Sequence, residues 1–198
     1  MNFPVMEHFY SVQGEGKFAG SPAFFIRFGG CDVGCVWCDV KDSWNADNHP
    51  KMSVNEMIAE AEKHPSKIVI LTGGEPGMYD LTSVCDAFRS KGFQVHIETS
   101  GAYPLKGNFD WITFSPKKFK APLTEVAAIA DELKIVVFNR SDFEWATQHQ
   151  DLVSQRCKLY LQPEWDKKEV VQPLIFDFVL KHPKWKISVQ THKYLGVD

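Results

Sequence analysis

Strand-like and helix-like segments alternate along nearly all of this chain. Runs at 23–28 (AFFIRF), 67–72 (KIVILT), 93–99 (FQVHIET), 111–115 (WITFS), 133–138 (LKIVVF), 158–162 (KLYLQ) and 185–190 (WKISVQ) have strand character. Several are apolar almost throughout, as parallel strands covered on both faces require. Helical patterns fill the gaps. The stretch 52–64 opens with Ser53 and Glu56 as a capping box, with Met52 and Met57 placed for a hydrophobic staple. The stretch 80–92 starts at Asp80 and stops at Gly92, a C-cap glycine. A third helix is expected from Ser141 as N-cap with Glu144 three residues on. A fourth is expected from Asp166 and Glu169, kinked or restarted at Pro173. Strands alternating with helices imply right-handed βαβ units and a parallel sheet. A full eight-stranded barrel needs about 250 residues, and this chain has 198. The expectation is one α/β domain over residues 1–198, an incomplete TIM-like barrel of about six parallel strands. Functional residues should then gather at the carboxyl ends of the strands.

Composition excludes some classes. A formal net charge of −3 gives no global basic field of the kind that binds a nucleic-acid backbone, so no nucleic-acid partner is expected. No apolar run approaches the length of a membrane span. The start, Met1-Asn2-Phe3-Pro4, lacks the basic and apolar regions of a signal peptide. A cytoplasmic protein without a membrane partner is expected. The five cysteines are an odd number with three clustered, which argues against a secreted disulfide framework. Cys85 and Cys157, in apolar surroundings, read as buried small hydrophobes.

The clustered three, Cys31, Cys35 and Cys38, lie in "FGGCDVGCVWCDV" with spacing C-x3-C-x2-C. On a helix they would share one face as packing residues, but Gly29, Gly30 and Gly34 around them disfavour a helix and suit a loop wrapped closely about something. Zinc could take Asp39 or His49 as a fourth ligand, but the second short knuckle usual in structural zinc sites is missing. A [4Fe-4S] cluster with three cysteine ligands leaves one iron open to a small molecule. Further along, "LTGGEP" (71–76) follows a strand, "IETSG" (97–101) and "FSPK" (114–117) end the next two, and "LYLQPEW" (159–165) ends another. Each places polar groups at a strand mouth, where a solvated strand end is the ordinary alternative.

The cysteine spacing, with aromatic Trp37 before the last cysteine, and the GGE turn resemble the radical S-adenosylmethionine (SAM) superfamily. With "QGEG", "PAFFIRFGGCDVGCVWCD", "SPK", "LQP" and the closing "QTHKYLG", the chain is similar over residues 10–196 to the 7-carboxy-7-deazaguanine synthase family, radical SAM lyases of 7-deazapurine (queuosine) biosynthesis. That resemblance implies a [4Fe-4S] cluster on Cys31, Cys35 and Cys38, with SAM on the open iron. It implies SAM contacts from Val36, Trp37, Asp39, Gly73, Gly74, Glu98, Ser100, Ser115, Pro116, Lys117 and Gln162, with Glu75 orienting the GGE loop. For the pterin substrate it implies an N-terminal contact segment (1–22) supplying Val12, Gln13, Gly14 and Glu15, and also Arg27, Thr72 and His192. Glu15 and Lys193 are weaker candidates, and a C-terminal tail (190–198) returns to the site beside the cluster loop (29–40). Arg27 suits a substrate carboxylate through a bidentate pair. The reaction implied is conversion of 6-carboxy-5,6,7,8-tetrahydropterin with ring contraction and loss of ammonia, SAM acting catalytically. Flavodoxin or ferredoxin as electron donor and a homodimer are further implications.

One position departs from the family. Where it has Thr or Ser after the last cysteine and aspartate, with a hydroxyl that binds a substrate-bridging Mg2+, this chain has Val40. Mg2+ takes hard oxygen ligands, and valine offers none from its side chain. Three outcomes are open: Mg2+ held by substrate, water and another oxygen near Asp39; no ion, with a protein cation in its place; or a different substrate. The same reaction with altered Mg2+ dependence is expected. No large insertion separates the cluster loop from the GGE strand, and a single helix is expected between Trp44 and Lys67. Competing readings are a radical SAM activase, which would lack QGEG and QTHKYL, a non-catalytic electron-transfer or metal module, and a binding protein that has lost catalysis.

Overall fold

The computed structural model describes residues 1–197, so Asp198, the last residue of the expected tail, lies outside the described residues. An N-terminal hairpin pairs β1 (Asn2–Val12) antiparallel with β2 (Pro22–Phe28), and a short β3 (Lys51–Ser53) adds antiparallel to the other edge of β1. From β2 onward the sheet is parallel through β4 (Ile68–Gly73), β5 (Gln94–Thr99), β6 (Trp111–Phe114), β7 (Glu132–Val137), β8 (Lys158–Pro163) and β9 (Trp185–Ile187). The nine strands lie in the order β3-β1-β2-β4-β5-β6-β7-β8-β9, open at both ends.

The parallel strands therefore number seven rather than about six, each on one of the seven strand-like runs. β1 and β3 were not foreseen. Glu7, His8 and Pro4 obscure the alternation in β1, and the strand forms because β2 and β3 supply backbone partners on either side. β3 also occupies part of the stretch between Trp44 and Lys67 for which a helix alone was expected.

Period-two alternation sorts the side chains. Phe24, Ile26 and Phe28 of β2, Val69 and Leu71 of β4, Val95 and Ile97 of β5, and Leu133, Ile135 and Val137 of β7 join one core with the helices. The intervening residues face the other way. Ala23, Phe25 and Ile70 form a small second cluster, and toward the carboxyl ends this inner face turns polar, with Arg27, Thr72, Glu98, Lys134 and Gln162 beside a cavity.

The helices cover the apolar face. α1 (Val54–Ala61) carries the expected capping box: Glu56 N donates to Ser53 Oγ at 3.3 Å, and Ser53 N donates to Glu56 Oε2 at 2.7 Å. α2 (Thr82–Ser90) begins two residues after Asp80, whose Oδ1 accepts from Thr82 N at 3.1 Å, and the chain leaves it through Gly92 at φ +75. A short α3 (Thr124–Ile129) was not foreseen. α4 (Ser141–Gln150) takes Ser141 as its first residue and not as its cap. Asn139 Oδ1 accepts from Ser141 N at 2.9 Å instead, and Asp142 Oδ2 accepts from Phe138 N and Asn139 N, both at 2.8 Å. α5 (Lys168–Lys181) continues through Pro173, so of the expected kink or restart the restart does not occur, and a turn capped by Glu164 precedes it. Val171 and Ile175, flanking Pro173, are both buried in the core, and that packing outweighs the missing hydrogen bond. The tail forms α6 (Thr191–Leu195). Among the described residues no helix is long and apolar enough to cross a membrane.

Phe88 is fully buried between α2 and the sheet, edge-on to Phe93 with ring centroids 5.3 Å apart. Phe88→Ala is expected to destabilise the fold by about 3–5 kcal/mol. Denaturant unfolding should show this as a lower midpoint with an unchanged slope.

Candidate active site

A cavity of about 750 Å3 opens at the carboxyl ends of the parallel strands. The loop after β2 brings Cys31, Cys35 and Cys38 to one side of it. Backbone bonds hold that loop: Gly30 N donates to Ser43 O at 2.6 Å, Cys31 N to Trp44 O at 3.1 Å and Cys38 N to Cys35 O at 3.1 Å. All three thiols are free. Burial pushes the Cys35 thiol up to about 11 and also raises Cys31. Such thiols need a strongly positive centre to become thiolates.

The turn after β4 lies directly against this loop. Gly74 N donates to Phe28 O at 2.9 Å and Glu75 N to Gly30 O at 2.8 Å. A Cβ on Gly74 would fall 2.2 Å from Gly30 O, and one on Gly73, at φ +120, 2.3 Å from Phe28 N. Only glycine allows that approach. Glu75 is buried and ties the turn to the end of β5. Its carboxylate accepts from Gly77 N at 2.9 Å, Thr99 Oγ1 at 2.5 Å and Ser100 N at 2.7 Å, and from the Ser100 hydroxyl.

The opposite wall is built around Lys134, whose side chain is 5% exposed. Its ammonium pairs with Glu15 and, at 3.2 Å, with Glu98. Glu15 Oε1 also accepts from Gln162 Nε2 at 2.9 Å and Gln190 Nε2 at 3.0 Å, and Gln13 Nε2 donates to Glu98 Oε1 at 2.8 Å. Burial alone would raise Glu15, but the charge of Lys134 and these hydrogen bonds hold it down at about 2. Burial disfavours the ammonium of Lys134, and the surrounding carboxylates Glu15, Glu98 and Glu132 overcome it, keeping Lys134 charged. Gln162 commits both ends of its amide to protein, since its Oε1 accepts from Ser188 Oγ at 2.9 Å. The tail docks on the QGEG turn: Gly14 O accepts from Thr191 N at 2.9 Å and Thr191 Oγ1 at 2.8 Å, and His192 sits against Gly14. Burial holds His192 below its usual value, toward the neutral ring.

Of the residues singled out in the sequence, Val12, Gln13, Gly14, Glu15, Arg27, Val36, Trp37, Asp39, Val40, Thr72, Gly73, Gly74, Glu75, Glu98, Ser100, Ser115, Lys117, Gln162, His192 and Lys193 line the cavity with the three cysteines. Pro116 stands apart, its carbonyl accepting from Trp145 Nε1 of α4 at 3.4 Å. Arg27 pairs through Nε with Glu7 at 2.5 Å, opposite Thr72 in the strand register. Lys117 Nζ donates to Ser115 O at 2.8 Å and lies 5.6 Å from the Trp37 ring centre. Lys134, Gln190, Ser188 and Trp165 were missed. The signal for Lys134 was present: one lysine inside an apolar strand run needs a buried partner.

The comparisons with known proteins agree with this geometry. Residues 25–134 match the Radical SAM superfamily. The 7-carboxy-7-deazaguanine synthase of Flavobacterium psychrophilum is 49% identical over 98% of this chain and 92% of its own length. That of Synechocystis sp. is 47% identical over 100% and 94%. The chain belongs to the 7-carboxy-7-deazaguanine synthase family of the radical SAM superfamily. A crystal structure of QueE from Escherichia coli superposes with a TM-score of 0.86 at 29% identity, covering 96% of this chain and 94% of that one. The architecture is thus the partial barrel of that superfamily.

Membership implies a [4Fe-4S] cluster and SAM, and the residues fit them. Three free thiols share a glycine-rich loop beside a roomy cavity. Among the described residues no three ligating side chains converge on one point as a single ion requires. Asp39 and His49, either of which could have been a fourth zinc ligand, bond instead to Lys193 at 2.9 Å and to Asp42 O at 2.8 Å. Mg2+ does not fit position 40: the carbonyl of Val40 already accepts from Ser43 Oγ at 2.6 Å and Ser43 N at 3.0 Å, and Asp39 pairs with Lys193 at 2.9 Å.

Glu132 props the QGEG turn from below, Oε2 accepting from Lys17 N at 2.9 Å. Burial raises its carboxyl from 4.5 to about 7. A raised folded value means that stability is full below about pH 4.5 and falls as pH rises through about 7. The loss is at most about 3 kcal/mol. Glu132→Gln keeps the acceptor without the charge. It is expected to gain about 2–3 kcal/mol relative to the unaltered chain on going from pH 4.5 to pH 7.5, read from denaturant midpoints across that range.

Proposed function

We propose that this chain converts 6-carboxy-5,6,7,8-tetrahydropterin to 7-carboxy-7-deazaguanine with loss of ammonia. The observation that carries the reading is the opposition of two walls across one cavity. Cysteine and GGE loops hold one side, and QGEG with the QTHK tail holds the other. Cys31, Cys35 and Cys38 would hold the cluster, which together with SAM supplies one-electron reductive cleavage and a carbon-centred radical as hydrogen abstractor.

The protein's own residues bind and orient. The Gly73 and Gly74 backbone, with Val36, Trp37 and Asp39 of the cluster loop, Glu98, Ser100, Ser115, Lys117 and Gln162, would line the SAM side. Gln162 can act there through its backbone while its amide braces Glu15. Val12, Gln13, Gly14 and Glu15 would meet the pterin edge beside Thr72 and His192. Glu7 engages Arg27 only through Nε, which leaves its terminal nitrogens for the substrate carboxylate. The walls exclude water and hold the reacting carbon in place, which is the main contribution a protein makes to radical chemistry. A flavodoxin or ferredoxin donor, a homodimeric assembly and a cytoplasmic location complete the reading.

The test is an anaerobic assay of the reconstituted protein with SAM, dithionite and the tetrahydropterin, followed by mass spectrometry. The ring-contracted product is expected. SAM cleavage without that product would overturn the substrate. Cys35→Ala is expected to lose both the cluster's visible absorption and SAM cleavage. Arg27→Ala is expected to raise KM about 10–100-fold, the effect of one charge-assisted hydrogen-bonded pair.

A further inference from the structure

The surroundings of Val40 contain a positive charge whose role the sequence left open. Lys193, on α6, reaches across the cavity mouth from the tail to the cluster loop, where its ammonium lies 2.9 Å from Asp39 Oδ2. Its side chain is 23% exposed and its ammonium lies 5.3 Å from the Trp165 ring centre, so the stem is supported on one side by an aromatic face. Both Lys193 and Val40 line the cavity, next to His192.

Of the other cations lining the cavity, Lys41, which follows Val40, is exposed to solvent. Lys134 is held by Glu15 and Glu98 and Lys117 by Ser115, while Arg27 pairs with Glu7 through Nε alone and keeps its terminal nitrogens for the substrate carboxylate. Lys193 has Asp39 alone as its ion-pair partner among the described residues, and a more strongly placed anion could share it. Position 40, meanwhile, offers a dication nothing: no side-chain oxygen, and a carbonyl committed twice to Ser43.

We infer that the Lys193 ammonium takes the place of a bound Mg2+ in this chain, contacting an anionic or carbonyl oxygen of the substrate from the side of Asp39 and Val40. The inference rests on the pterin reading above. A monovalent point charge on a flexible stem can satisfy an oxygen without the octahedral oxygen shell that Mg2+ demands. It makes turnover independent of Mg2+ and moves the charge from the cluster loop to the tail.

Two readouts test it. In the first, Mn2+ stands in for Mg2+ and its free electron-paramagnetic-resonance signal is followed with protein, SAM and the tetrahydropterin. The unaltered chain is expected to leave the signal undiminished, and the double variant Val40→Thr, Lys193→Met to remove about one equivalent. In the second, steady-state rates are compared in Mg2+ and in chelator. The unaltered chain should show the same rate in both. Lys193→Met, which keeps the stem over Trp165 without the charge, should raise KM at least about tenfold with little change in kcat. Lys193→Arg should stay near the unaltered value, and the double variant should recover its KM in Mg2+ alone. A residue that merely latched the tail would not be replaced by an ion. With product formed, Mn2+ uptake or Mg2+ stimulation of the unaltered chain, or an unaltered KM in Lys193→Met, overturns this inference alone. Absence of product from the unaltered chain overturns the substrate reading and this inference together.

Discussion

The ammonium of Lys134 is the charge on which the cavity depends. It sits on the inner face of β7, almost wholly out of water, and survives there because Glu15 and Glu98 meet it from two directions. An isolated ammonium at that depth would deprotonate. In pairing, it draws the QGEG turn over the strand ends. Glu15 then gathers Gln162 from β8 and Gln190 from the tail, and Glu98 gathers Gln13. Segments far apart in the chain are thereby joined through a few buried oxygens. A buried ion pair of this kind adds little net stability over an apolar core. Its value here is positional: it fixes the wall against which a polar ring system can be read.

The facing wall is fixed by a different means, close backbone approach. Gly73 and Gly74 let β4 end in contact with the backbone of the cluster loop, and Glu75 then carries the same rigidity to β5 through its bonds to Thr99 and Ser100. The cysteine loop has little regular structure of its own. Its shape comes from carbonyls at Ser43 and Trp44 on one side and from the GGE turn on the other. The two walls thus combine a charge-locked face with a glycine-packed one, and the cavity between them keeps its form while the chemistry inside is left to bound groups.

At the cavity mouth the balance of charge departs from what the motif alone suggests. An oxygen ligand is absent at position 40, and a lysine from the tail occupies the neighbouring aspartate. The tail is therefore more than a terminus. It closes on Gly14 through Thr191, brings His192 to the wall and sets Lys193 beside the cluster loop.

The sequence by itself determined the parallel α/β architecture, because alternating apolar periods leave few other ways to bury both faces of the strands. It also determined the cysteine and GGE loops, because their residue types and spacings are local and chemically specific. The seven parallel strands fall on the seven strand-like runs, but their order in the sheet was decided by the fold. The tertiary structure decided the rest. β1 became a strand only through partners it could not name in sequence, and α5 kept its path through Pro173 only because Val171 and Ile175 are buried. Lys134, Gln190 and Ser188 became parts of the site through pairings more than a hundred residues apart along the chain. The identity of a site residue is written locally when its chemistry needs a motif. It is written only in the fold when its role is to neutralise a charge arriving from another strand.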